Sequence, residues 1–349
     1  MLVAMEYVAI VWLRPDSFQA SFGSEIIDFA ISADGEIGAF VLADNGEMAK
    51  HEIRRHRIEF IDMRRGKLDG ELLTLPLMPK RVLPRDGQSG FFVGCSDGSI
   101  VYADCRSEAS EPIRSFIQTD RALIQTNRTV VNLVYARERK SVIIRDLDSI
   151  SARQADTGEL LWQRRFEKDL CVAVDDFGKW LYCGLNSGEV LQINAASGQT
   201  ERVCAQHDTG AVRLTVSPCG EFLASVLTQG QLVMTRLVDG KAVWTGRTSP
   251  NCKPAFSIDG KRLVIVDDTR QSRLLVINAR SGVQLFVLGK HERVVGIRCA
   301  PDGNVYSWGY DGGIIAWSLD SRQKRWQSHP ARMQDRQQGV LATAGAHIK

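Results

Sequence analysis

The chain has 349 residues, 44% of them hydrophobic and 24% charged, with 30 Gly, 10 Pro and a formal net charge of +3. This composition supports a large buried core and excludes a disordered chain, a collagen-like fibre and a disulfide mini-scaffold. The near-neutral total is also far from the excess of a strongly electrostatic nucleic-acid binder.

The N-terminal stretch Met1–Asp16 has no basic n-region and carries Glu6, and its apolar run Val8–Leu13 is too short to span a bilayer. The eight cysteines are scattered, with no C-x-x-C pair and no C-x-x-C-H haem site. That spacing argues against structural zinc, and isolated Cys in apolar runs behave as small buried hydrophobes. The expectation is a reduced, cytoplasmic protein with no metal, no cofactor and no membrane span.

Along the chain one segment recurs seven times: an apolar strand, a tight turn, a second strand, a second turn and a third strand. The copies are Ile26–Asp62, Arg81–Asp104, Val130–Gln154, Leu170–Asn194, Ala211–Leu237, Lys253–Asn278 and Val294–Ser318. Their first-turn landmarks, Gly35, Gly90, Lys140, Gly178, Gly220, Gly260 and Gly303, stand at intervals of 55, 50, 38, 42, 40 and 43. Each third strand leads through a further turn into an outer strand, as Asp156-Thr157-Gly158-Glu159 leads into Leu160-Leu161-Trp162. A four-stranded blade cannot bury both faces alone, so such units stack radially. The predicted fold is all-β, a single seven-bladed β-propeller of four-stranded antiparallel blades over residues 1–320. The blades are placed near 26–73, 80–118, 128–166, 170–204, 211–248, 253–288 and 294–320.

A ring needs its ends joined. The N-terminal segment 8–23, chiefly Phe18–Phe22, is expected to close it as the outer strand of the last blade, with Lys324–Gln327 as the competing choice. Residues 321–349 read as a basic, flexible tail. From Leu319 onward the chain holds six Lys/Arg against two acids, or +4.

The repeats resemble WD40 repeats and, more loosely, quinoprotein-like propellers. The resemblance covers about residues 20–320 and is most specific in the last blade, where Gly289-x-His291 precedes the inner strand and Ser307, Asp311 and Trp317 follow. It implies a hydrogen-bonded structural tetrad of His291, Ser307, Asp311 and Trp317. The blade from Ala211 keeps His207 and Ser225 of this set but has Gln229 and Thr235 at the other two positions. The segment Ala155–Trp162 looks like the repeat motif of quinone-cofactor propellers, with a weaker echo at Asp239–Trp244. An ordinary turn before an outer strand explains both.

Two enzymatic readings compete with a non-catalytic one. Ser307, His291 and Asp311 invite a hydrolase, but no G-x-S-x-G elbow is present and the tetrad already accounts for all three. A quinoprotein enzyme is weakened by the recurrence of only two such tryptophans and the lack of an adjacent Cys pair. The favoured function is a non-catalytic protein–protein interaction scaffold, an adaptor subunit of a larger complex, with other proteins as partners. Candidate contacts on the face loops are His207, Asp208, Lys290, Glu292 and Arg293. The segment Lys50–Lys67 holds seven Lys/Arg against three acids, and about a dozen residues around Met48–Ile58 read as an insertion before the third strand of the first blade. Its Arg54, Arg55, Arg57, Arg64 and Arg65 form a candidate basic finger. The alternative is a propeller that binds nucleic acid or an acidic partner through this finger and the tail.

Overall fold

The computed structural model describes residues 25–43, 56–68, 73–75, 78–85, 90–104, 124–125, 129–136, 139–147, 149–166, 171–250, 252–267 and 272–329. Seven antiparallel sheets follow one another along the chain. The inner strands are Glu25–Ile31, Pro79–Pro84, Asn132–Ala136, Cys171–Val174, Ala211–Val216, Ala255–Phe256 and Val294–Cys299. They head blades 1 to 7 in that order. Blades 2 to 7 have four strands in sequence order. In blade 1 the outer strand is divided into Lys67–Leu68 and Leu73–Leu75, both paired with His56–Asp62.

The core lies between blades. Strand Ile37–Ala43 shows why: Phe40 and Leu42 pack toward blade 7 with Tyr306 and Trp308, whereas Ala39 and Val41 pack toward blade 2 with Phe91 and Val93. Side chains alternate across a strand, and both faces meet another blade, so the strand reads IGAFVLA with no polar face. The buried clusters each join one neighbouring pair of blades, including blade 7 with blade 1. The ring is therefore closed by packing.

That closure differs from the sequence expectation. The outer strand of blade 7 is Gln323–Ser328, which pairs with Ile314–Ser318 from Ile314↔Ser328 to Ser318↔Gln323. The edge assigned to the N-terminal segment is thus filled by the strand that the basic tail was expected to leave free. The physical reason is local. A tight turn returns the chain directly onto the edge beside it, with Arg322 holding the positive φ of 58° that Gly supplies in other blades. Segment 8–23 lies outside the described residues, as do residues 330–349. In blade 2 the outer strand is Ile124–Gln125, beyond the boundary expected at 118.

Side chains tie the outer strands of blades 3, 4, 5 and 7 to the next blade. Trp162, Trp244 and Trp326 donate their indole N–H to the carbonyls of Ala195, Ala279 and Met63 at 2.8, 2.8 and 3.0 Å. Each ring lies under a turn glycine of that next blade, where a Cβ on Gly198, Gly282 or Gly66 would come within 2.7, 2.8 and 2.5 Å of the indole. Glycine is required there by close approach as well as by its positive φ. In blade 4 Arg202 takes the place of the indole and donates to the carbonyl of Leu237. The Trp326 bond joins blade 7 to blade 1 and so spans the seam of the ring.

Candidate functional site

The tetrad comes first because it carries the residues of the hydrolase reading. Trp317 Nε1 can only donate, and it lies 2.9 Å from Ser307 Oγ. The serine hydroxyl is thereby free to donate to His291 Nδ1 at 2.7 Å. This leaves His291 Nε2 to donate toward Asp311 Oδ1 at 3.3 Å, and Asp311 also accepts from Gly313 N at 3.1 Å. Burial alone would raise the Asp311 carboxyl, but the hydrogen bonds from His291 and Gly313 hold it below the usual carboxylate range. Ser307 is fully buried. A nucleophile must reach a substrate carbonyl, so this chain of bonds joins strands and does not perform acyl transfer. Gly289 belongs to the same construction, since a Cβ there would come within 2.5 Å of the Trp317 ring.

In blade 5 the corresponding pair is left incomplete. His207 and Ser225 are buried, and neither His207 Nε2 nor Ser225 Oγ has a hydrogen-bond partner. Desolvation depresses the His207 pKa. Thr235 stands where Trp317 stands in blade 7, which removes the indole donor that orders the chain of bonds there.

The other face-loop candidates sit at the same end of the inner strands. Asp208 is exposed on the loop before Ala211. Lys290 pairs with Glu292 at 2.9 Å, and the Arg293 guanidinium lies over the Tyr310 ring at 5.5 Å. The finger candidates separate into groups. Arg54 and Arg55 lie outside the described residues. Arg57 is largely buried beside Glu59 at 3.0 Å, on a strand inside blade 1. Arg64 and Arg65 are exposed on the following turn, beside Glu36 at 2.5 Å and Asp62 at 3.8 Å. Surface pairs of this kind are weak and exchange readily with other anions.

At the opposite end of the inner strands the structure forms a groove that the sequence reading missed. It has a volume of about 1020 Å³ and lies between the first turn of blade 4, the first turn of blade 5 and the third turn of blade 5. Trp180, Tyr182, Pro218 and Leu237 line it. Phe177 and Val238 stand at its rim with 67% and 77% of their surface exposed. Arg202 crosses its wall, donating to Gln192 Oε1 at 2.7 Å and to Val238 O at 3.4 Å. Asp175 accepts from the backbone N–H groups of Lys179 and Trp180 at 2.8 and 2.9 Å, although burial keeps its pKa raised. The sequence signal was an apolar residue at a turn tip, in Asp176-Phe177-Gly178 and in Val238-Asp239-Gly240.

Blade architecture, the tetrad and the indole docking together define a β-propeller of the WD40 and quinoprotein-like kind. The family model described as outer membrane protein assembly factor BamB matches residues 146–327, over half of the chain. The chain belongs to that family. Among solved structures it is similar to a chain in the crystal structure of the mitotic checkpoint complex, with a TM-score of 0.64, 15% identity, and 84% of this chain and 86% of that chain covered. That likeness is one of fold. A search of the curated proteins gives no match. Among the described residues no helix is long and apolar enough to cross a membrane, and no group of three or more His, Cys, Asp or Glu is placed to hold a metal ion.

Proposed function

We propose that this protein is a non-catalytic interaction subunit that docks a partner protein in the groove between blades 4 and 5. The observation that carries this reading is the pair Phe177 and Val238, large apolar side chains held in solvent at the rim of a rigid concave surface. Side chains of this kind mark protein contacts when they border a shaped site. The groove sets Asp175, Asp176 and Glu221 against Lys179 and Arg202, so its charge is nearly balanced. Such a surface suits an extended segment with an apolar or aromatic anchor better than a polyanion. The family description names an assembly factor, and the similar structure is a multi-protein complex; both support a role among other proteins.

The face loops around His207, Asp208, Lys290, Glu292 and Arg293 and the exposed finger residues are secondary contacts in this proposal. Nucleic acid is the weaker reading, because Arg57 is largely buried beside Glu59 and the chain as a whole carries a net charge of only +3. The proposed compartment is the reducing cytoplasm. In support, Cys95, Cys171, Cys183, Cys204, Cys219, Cys252 and Cys299 are free thiols, and burial pushes Cys95, Cys171 and Cys204 up to about 11.

The test is quantitative affinity capture from the native host with Phe177→Asp/Val238→Asp, compared with Arg54→Glu/Arg55→Glu/Arg64→Glu/Arg65→Glu. Arg57 is left unchanged because reversing it would bury two acids together. Both groove residues are exposed, so stability should change by no more than about 0.5 kcal/mol per site. The groove variant should lose about tenfold or more of its specific partner, as expected for removing an anchoring side chain. Partners retained by that variant and lost from the arginine variant would transfer the function to the finger.

A further inference from the structure

A second site lies on the axis of the ring. The inner strands bring register-equivalent residues to the central channel: Asp28 opposite Val41, Arg81 opposite Gly94, Arg213 opposite Val226, and Gly296 opposite Trp308. Each follows a one-residue irregularity in its strand, at Ile27, Lys80, Val212 and Val295. Continuing the register of blade 6 from Ala255↔Val264 puts Lys253 opposite Val266, at the same level. Arg298 follows Gly296 by two residues on the same strand.

These side chains share one space. Arg213 of blade 5 is electrostatically coupled to Arg81 of blade 2, three blades away around the ring, and that coupling runs across the channel. Lys253 of blade 6 is coupled to Arg298, Arg213 and Asp28. Arg213 and Lys253 are open to solvent, whereas Arg81, Arg298 and Asp28 are half-buried. Solvent access with protein on every side is the condition of a channel lining. It explains why desolvation, with Arg298 next, pushes the accessible Lys253 ammonium down to about 8. Desolvation also leads the lowering at Arg213 and Arg298. Asp28 Oδ2 is used by Val82 N at 3.0 Å, and among the described residues none of the four cations is in ion-pair contact with a carboxylate.

We propose that the central channel binds a small polyanion carrying two or more phosphate groups, held by Arg81, Arg213, Lys253 and Arg298. Four cations against one carboxylate leave three positive charges in a narrow space whose low-dielectric walls concentrate the field. A multiply charged anion relieves that repulsion. Guanidinium forks reaching in from blades 2, 5 and 7 match phosphate oxygens bidentately. A protein segment does not suit the channel as well, because its apolar side chains would meet charge on several sides.

Inorganic pyrophosphate is the probe, titrated calorimetrically into the full chain at constant ionic strength, with sulfate and chloride as controls. The expected result is one saturable site per chain, preference over sulfate, and a higher Tm. Arg213→Gln/Arg298→Gln should weaken binding by about tenfold or more per arginine, the scale of a lost charge-assisted hydrogen bond. Its ligand-free Tm should be equal to or above that of the parent chain, since repulsion is removed; a purely structural role for these arginines predicts a lower Tm. Should the double variant not fold, Lys253→Gln gives the same comparison at a solvent-open residue. No saturable binding, an equal response to all three salts, or unchanged binding in the variants would overturn the proposal. Because the channel and the blade 4–5 groove are separate, either can fail without the other.

Discussion

Trp326→Ala should lower the unfolding free energy by about 3 kcal/mol or more, the range for removing a packed Trp side chain. It should do so more damagingly than the same change at Trp162 or Trp244. All three indoles make the same contact, a ring under a turn glycine and an N–H donated to the next blade. Only Trp326 joins residues 263 positions apart, across the seam between the first and last blades. Loss at an internal interface leaves the neighbours tethered by a short linker, whereas loss at the seam lets the ring open. Trp326→Phe keeps most of the packing and removes the donor, so it should recover all but about 1 kcal/mol. Denaturant unfolding followed by tryptophan fluorescence and circular dichroism reads both variants. Equal effects at Trp162, Trp244 and Trp326 would show that the seam has no special role.

Ser307→Val is expected to be the most damaging change inside a single blade. Ser307 is the middle of the tetrad, accepting from Trp317 and donating to His291. Its removal leaves two buried polar atoms without partners, at about 1–3 kcal/mol each. Trp317→Phe keeps the Ser307 hydroxyl bonded to His291 and should therefore cost less. The tetrad also has a pH signature. The pKa of Asp311 is depressed on folding, so its contribution is fully present above the unfolded carboxylate pKa and is lost as pH falls through the lower folded value. The parent chain should lose more stability on acidification below about pH 4, near the ordinary Asp pKa, than Asp311→Asn does. Parallel acid melting curves for the two would contradict this assignment.

The repeats were legible because every blade must solve the same packing problem on both faces, and that need writes apolar runs at a near-constant period. The four tetrad residues entered only through the resemblance to WD40 repeats, and the hydrogen bonds among them connect His291, Ser307, Asp311 and Trp317. Ring closure was misjudged through one substitution. Gly158-x-x-x-Trp162 and Gly240-x-x-x-Trp244 were recognised, but Arg322 stands at the glycine position before Trp326. With that glycine missing, Gln323–Ser328 looked like the start of a tail. The Arg322 side chain lies over the Phe286 ring at 4.7 Å, a contact made by the arginine and not available to glycine. The groove and the channel were illegible for a different reason. Phe177 and Val238 lie 61 positions apart, and Arg81 and Arg213 lie 132 apart. No local pattern ties such pairs together; they meet only when the ring is built.

The central claim is that the ring is closed by its own C-terminal strand and the Trp326 contact. Thermal unfolding of two truncated chains, 25–329 and 25–322, tests it most directly. The first keeps Gln323–Ser328 and Trp326, and the second lacks both. Chain 25–329 should melt cooperatively with the Tm of the full chain, while 25–322 should lose its cooperative transition or aggregate. A cooperative 25–322, or a 25–329 that fails to fold, would contradict closure by this strand.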